Sequence, residues 1–364
     1  METAARGQAA AAAAAVLVAV VVLSGLPMAR PQQPPAPPPA PQPQIVQLTP
    51  PSVHGEGPHW DCGQNVLYYV DISGQMLHRY DPATKDLKSV HFDGPVSPAV
   101  PVLGTLDQLA VGVGTDLVLV TVDWGAVGVE PHVNQTVTLL ASVDHDKPDN
   151  RFNDGKADRR GRLWIGTMGP EPVVGQVTLG RGSLFRFEAS SGSVRGSEAM
   201  DVQKVLSPVD ISNGLAWNDI ETLMYYIDTP SGRIDVFDFD PDKGVISNGR
   251  PAFDLRANNI TGHPDGMTMD VDGNLWVACF DGSQVIKVDP VAGRLLQQVP
   301  IPASRVTSVV FGGRDLSTLF VTTMSKGLTG EQLAAQPAAG SLFAVTGLGT
   351  SGQRPGSRKA VVRK

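Results

Sequence analysis

The sequence predicts an all-β chain folded as a six-bladed β-propeller, and three observations lead there. A loose unit recurs along the chain, its apolar residues alternate with polar ones at period two, and 39 glycines with 30 prolines supply more turn residues than average usage. The unit is an apolar strand, a turn, a second strand and a polar corner. Clear copies are Leu67–Gly74 with Met76–Pro82, Leu223–Gly232 with Ile234–Pro241, and Leu275–Gly282 with Val285–Pro290; weaker ones begin at Leu109, Leu163 and Leu319. From Leu67 to Leu319 is 252 residues in five steps, a mean period of about 50 that matches propeller blades. Six such blades fill residues 45–349. No long stretch after the N-terminal segment sustains a 3.6 period, so a barrel with eight crossover helices is the weaker architecture and a pair of β-sandwiches the runner-up.

The flanks read differently. Ala9–Leu23 is an unbroken apolar run behind Arg6, and residues 1–26 read as a secretory signal, cleaved or retained as a single membrane anchor. Nine prolines between Pro27 and Pro43 make residues 27–44 an extended linker. Two N-x-T acceptors, at Asn134 and Asn259, agree with a secretory route to a secreted or membrane-anchored protein. Residues 350–364, with five basic and no acidic groups from Arg354 onward, read as a solvated basic tail.

Composition excludes several functions. With 29 basic against 36 acidic residues the net charge is −7, which provides no basic footprint for nucleic acid; small molecules and cations are the expected partners. Two cysteines allow at most one bridge, Cys62 to Cys279. Serine-hydrolase, zincin and P-loop motifs are absent, and the G-x-G-x-x-G match at Gly347–Gly352 leaves no room for a following βαβ unit. Asp144, Asp146 and Asp149 lack the glycine and glutamate that an EF-hand needs.

Four Gly-containing segments remain: Gly55–Pro58, Asn150–Lys156, Ser212–Leu215 and Pro264–Met267. Their polar residues Glu56, Asn153, Asn213 and Asp265 are separated by 97, 60 and 52 residues, close to two, one and one blade periods, so they can occupy equivalent places around a central channel. Carboxylate and amide oxygens are hard ligands for a divalent cation. Taken singly, each Asn-Gly or Asp-Gly is an ordinary turn dipeptide. Glu56 reads singly as a solvated carboxylate, Arg151 as a surface arginine and Glu171 as a loop residue. His54, His59 and His263 flank the segments, and Cys279 reads as a buried small hydrophobe.

Taken together, Gly55–Pro58, Asn150–Lys156, Gly166–Met168, Asp210–Leu215, Pro264–Met267 and Leu275–Ala278, in this order, resemble the signature of the regucalcin (senescence marker protein) and gluconolactonase family. The likeness extends from about Thr49 to about Gly349. It implies a six-bladed propeller that hydrolyses a sugar lactone with one divalent cation (Ca²⁺, Zn²⁺, Mn²⁺ or Mg²⁺) and has a capacity to bind calcium. Carried over by motif, Glu56, Asn213 and Asp265 are metal ligands, Arg151, Asn153 and Glu171 contact the lactone, and Asp265 is also the general base. The alternatives are a non-catalytic calcium-binding regulatory propeller and a metal-dependent hydrolase of another ester class. The N-terminal extension departs from the soluble intracellular pattern usual in the family.

Overall fold

The computed structural model describes residues 42–125, 135–190, 200–354 and 359–362. The signal or anchor, all but the end of the linker, and Asn134 lie outside them. No helix of the described residues is long and apolar enough to cross a membrane.

Twenty-four strands form six four-stranded antiparallel sheets. After β1 (Gln44–Gln47), the first blade holds β2 (Gly55–Asp61), β3 (Val66–Asp71), β4 (Met76–Asp81) and β5 (Asp86–His91). The second holds β6 (Val96–Pro101), β7 (Gln108–Val113), β8 (Asp116–Val122) and β9 (Gln135–Ser142), and the third β10 (Arg151–Ala157), β11 (Leu163–Met168), β12 (Gly182–Ala189) and β13 (Met200–Val209). β14 (Ser212–Trp217), β15 (Leu223–Asp228), β16 (Arg233–Asp240) and β17 (Val245–Asp254) make the fourth. β18 (His263–Met269), β19 (Leu275–Phe280), β20 (Gln284–Asp289) and β21 (Arg294–Pro300) make the fifth. The last combines β22 (Val306–Gly312), β23 (Thr318–Thr323) and β24 (Phe343–Thr346) with β1, which closes the ring from the other end of the chain. The expected all-β, six-bladed propeller is therefore present. The linker gives up its last residue, Gln44, to β1.

The repeat legible in the sequence is the second and third strand of each blade, β3–β4 through β19–β20, joined by tight turns. These strands are apolar because they are covered on both sides. The core is six separate layers between neighbouring blades. Val70 and Leu77 meet Val96 and Val111 between the first two, Leu117 meets Phe152 and Phe187 between the next, and Trp164 meets Trp217 and Phe239 beyond them. Ile227 with Val277, Trp276 with Phe311, and Trp60 with Phe320 complete the circuit. Because apolar burial lies between blades, the axis is free to carry polar groups.

Aspartates at the ends of inner strands anchor blade tryptophans. Asp158 accepts from Trp164 Nε1 at 3.1 Å and Arg162 Nε at 2.6 Å, and Asp270 accepts from Trp276 Nε1 at 3.0 Å and forms an ion pair with Lys287 at 2.9 Å.

Two expectations are corrected. The C-terminal tail is docked: Ala360 is fully buried, its N–H and C=O bond Pro101 O and Leu103 N at 2.9 Å each, and Lys359 Nζ sits 2.8 Å from Asp61. Ala360, Val361 and Val362 supply an apolar edge too short for a periodic signal, and the buried Asp61 carboxylate draws the lysine in. Cys62 and Cys279 are both free thiols, one exposed and one buried, so the single bridge that composition allowed does not form. Cys279 is the buried hydrophobe expected of it.

Candidate active site and metal centre

The six inner strands β2, β6, β10, β14, β18 and β22 each break register once: after Glu56, Val96, Phe152, Ser212, Pro264 and Val306. Such a bulge twists the strand and re-aims the side chain at the break. Counting back five residues from the end of each inner strand, at Asp61, Val102, Asp158, Asn218, Asp270 and Gly312, gives Glu56, Ser97, Asn153, Asn213, Asp265 and Thr307. One position per blade thus forms a polar ring. The Gly-containing segments expected to be turns are these bulges, and glycine is needed there for close approach. A Cβ on Gly214 would lie 2.6 Å from Asp265 O, and one on Gly266 1.9 Å from Ser308 Oγ.

The ring is stitched between blades. Asn153 Nδ2 donates to Ser212 O at 2.9 Å, Thr307 Oγ1 to Gly55 O at 2.6 Å, and Ser97 Oγ to Asn153 O. Ser97 and Thr307 escaped the sequence reading because no glycine follows them.

All six residues singled out from the sequence line one cavity of about 390 Å³: Glu56, Arg151, Asn153, Glu171, Asn213 and Asp265. His54 and His263 also reach it, whereas His59 does not. Arg151 begins β10, and its Nη1 donates to Phe152 O at 2.9 Å and to Asn153 Oδ1 at 2.7 Å. Glu171 is in the loop between β11 and β12, where its Oε1 accepts from Gly175 N at 2.8 Å. Asp144 lies elsewhere: it accepts from Asn150 Nδ2 at 2.8 Å and Thr167 Oγ1 at 2.7 Å, bracing the approach to β10.

Glu56, Asn213 and Asp265 are buried at 3 %, 3 % and 6 % exposure. The Glu56 and Asp265 carboxyl groups hydrogen-bond each other, and Asn213 bonds Asp265. Burial pushes Glu56 up to about 8, helped by Asp154 and opposed by the Gly57 N–H and Arg151. Asp265 is held well above the usual carboxylate range by burial, then by Glu56 and Asp154, with Asn213 pulling the other way. Asp154 itself is raised, by burial first, against the pull of Lys156. Burial also keeps His54 low, reinforced by Arg151, Lys326 and Arg305.

Asp154 is the acidic group that the sequence reading passed over. Its signal was present: Gly57, Gly214 and Gly266 occupy the corresponding place in their strands, and only β10 among these puts a carboxylate there.

A divalent cation fits this set. Asn213 Oδ1 and Asp265 Oδ1 are buried oxygens without a hydrogen-bond partner, beside a second carboxylate that shares a proton with Asp265. Among the described residues, no three His, Cys, Asp or Glu side chains alone form a metal cluster, so the amide of Asn213 is a necessary member. The raised carboxylates fix the sign of a pH effect. Protons held by Glu56 and Asp265 must leave when a cation binds, so Ca²⁺ affinity is expected to rise with pH up to about 8 and then level. The same shift gives the cation-free fold stability that is complete below 4.5 and lost as pH rises through about 8. Calorimetry at pH 7 in two buffers of different ionisation enthalpy should show release of about one proton per cation; zero release would mean that the pair is already ionised.

Comparisons with known proteins agree with this geometry. Residues 54–325 match the model of the SMP-30/Gluconolactonase/LRE-like region. The chain is 38 % identical to regucalcin of Macaca fascicularis over 301 residues, 83 % of this chain and 93 % of that protein. A solved luciferin-regenerating enzyme is 34 % identical, with a TM-score of 0.79 over 88 % of this chain and 100 % of the other. The Agrobacterium tumefaciens calcium-binding protein regucalcin shares the fold, with 24 % identity and a TM-score of 0.73 over 87 % and 97 %. The ordered motifs, the six-bladed ring and the matched span together place this chain in the SMP-30/gluconolactonase/LRE-like family.

Proposed function

We propose that this cavity hydrolyses a sugar lactone with a divalent cation held by Glu56, Asn213 and Asp265. One observation carries the reading: two partnerless buried oxygens, on Asn213 and Asp265, open onto the same cavity as Arg151, Asn153 and Glu171. An ion-holding site alone has no use for that second group, whereas a polyol ester offers it a carbonyl and several hydroxyls. The all-oxygen ligand set favours Ca²⁺, Mg²⁺ or Mn²⁺ over Zn²⁺. Bound there, the cation supplies the positive charge that a lactone carbonyl oxygen needs as negative charge builds on it.

The chain's own residues do the rest. Asp265 is placed to take a proton from the attacking water, and its raised proton affinity makes it a stronger base than an exposed aspartate. Arg151, fixed by its bonds to Phe152 and Asn153, donates to substrate oxygens, and Glu171 accepts from hydroxyls. Ring opening leaves the acid and a free hydroxyl, with the water divided between them.

Screening aldonolactones against aryl esters and organophosphates, with added Ca²⁺ or Mn²⁺ and after chelation, tests the reading. Lactone hydrolysis that chelation abolishes and metal restores is expected; turnover only of the other esters would replace it with the alternative ester class. Arg151→Ala should lower kcat/KM for the lactone by about ten- to a hundredfold, the worth of a charged hydrogen bond. Its calorimetric Ca²⁺ affinity should hold or tighten slightly, because a repelling cation has gone. Loss of Ca²⁺ binding in that folded variant would make Arg151 a structural residue. The reading includes a secretory route, supported by the N-terminal apolar run and by the exposed position of Asn259 in its sequon.

A further inference from the structure

The inner strands have two ends. Their starts carry the polar ring, and about four residues later, roughly 13 Å along a strand, their ends enclose a second cavity of about 210 Å³. Trp60, Trp217, Met269 and Phe311 give it apolar walls, and the docked C-terminal segment contributes Gln353 and Lys359. Lys156 separates the two cavities: its Nζ donates to Leu215 O at 2.9 Å and Met267 O at 2.8 Å, bracing two inner strands across the channel.

The polar chemistry of this rear cavity is one-sided. No aspartate or glutamate lines it, while two lysines, Lys156 and Lys359, do. The printed partners of Lys156 are neutral carbonyls, so they do not cancel its charge. Asp61, which pairs with Lys359, lies outside the lining and is satisfied by the Gly63 N–H and Gln64 as well. The Trp60 indole N–H is buried with no acceptor, a donor in want of a ligand oxygen. An apolar cavity of about 150 Å³ admits benzene, so 210 Å³ is room for one ring and a short acidic arm.

We propose that the rear cavity is a second ligand site, distinct from the lactone cavity, that takes a small apolar carboxylate such as a single-ring or short-chain acid. The ring packs against the indoles and Phe311, and the carboxylate accepts from the lysines and the Trp60 N–H.

Phenylacetate is a suitable probe, with phenylacetamide as its uncharged counterpart and tryptophan fluorescence of the full chain as the readout. Saturable quenching by the acid is expected, with the amide about tenfold weaker, the worth of one charged hydrogen bond. Leu103→Trp, at a half-exposed position on the cavity lining, should fill the space and weaken binding at least tenfold by calorimetry. Trp60→Phe should weaken it less, because only the donor is lost. Arg151→Ala should bind phenylacetate as the unaltered protein does. Absence of saturable binding, equal affinity for acid and amide, or indifference to Leu103→Trp would each overturn the proposal. Loss of binding in Arg151→Ala would overturn it too, by placing the acid in the front cavity.

Discussion

Asp265→Asn is expected to reduce lactone turnover by about 10² to 10⁴-fold even at saturating Ca²⁺, the usual contribution of a general base. The change keeps the side chain's size and one oxygen but removes the charge and the proton acceptor. Cation affinity should fall as well, because one of the two carboxylates facing the cavity is gone while Glu56 and Asn213 remain. The Glu56 proton should become easier to remove, since the neighbouring negative charge that holds it has been taken away. Three measurements on one variant decide the matter: circular dichroism for fold, calorimetry for Ca²⁺, and initial rates across a lactone panel. Normal turnover with undiminished Ca²⁺ binding in a folded Asp265→Asn protein would remove both roles assigned to this residue.

The largest expected loss of stability comes from Asp270→Ala, at about 3–5 kcal/mol, the cost of breaking a buried ion pair from one side. Asp270 is fully buried and accepts from the Asp272 and Asn274 N–H groups at 3.0 and 2.9 Å, besides Trp276 Nε1 and Lys287. Alanine strands four donors at once, one of them a lysine whose side chain is 13 % exposed. Asp289→Ala is the control: it removes an aspartate that also accepts from two turn N–H groups, but at a partly exposed outer hairpin where water replaces it. That loss should stay near the 1 kcal/mol of one ordinary hydrogen bond. Urea unfolding of both variants checks the contrast, and equal midpoints would show that the Asp270 network adds nothing beyond turn capping.

What the sequence revealed follows from where burial lies. The second strands, such as Leu275–Phe280, are sandwiched between neighbouring blades and read as apolar runs, so six blades could be counted from them. The inner strands could not be recognised as strands, because a bulge at each one interrupts the period of two and puts Glu56, Asn213 or Asp265 where an apolar residue would otherwise fall. Glycine after these residues was visible, but its use was not: an Asn-Gly pair in a turn and one in a bulge are the same two letters. Asp154 was hidden by adjacency to Asn153, since a motif names both and only the strand's geometry shows what each faces. Docking of Ala360 depends on the Pro101 and Leu103 backbone, some 260 residues earlier, which local pattern cannot reveal.

The pairing of β1 with β24 sets Gln44 opposite Thr346. At roughly 5–20 residues per second of synthesis, the first strand leaves the ribosome about 15–60 s before its partner exists. For that interval the nascent chain carries a strand it cannot use. Its composition suits the wait: Gln-Ile-Val-Gln is four residues long, with an amide at each end and only two apolar residues between, a poor template for pairing with another chain. The final blade is completed only when the earliest strand arrives. The ring therefore closes after translation has nearly ended, and unfolding that begins at this seam must part the two distant ends of the chain first.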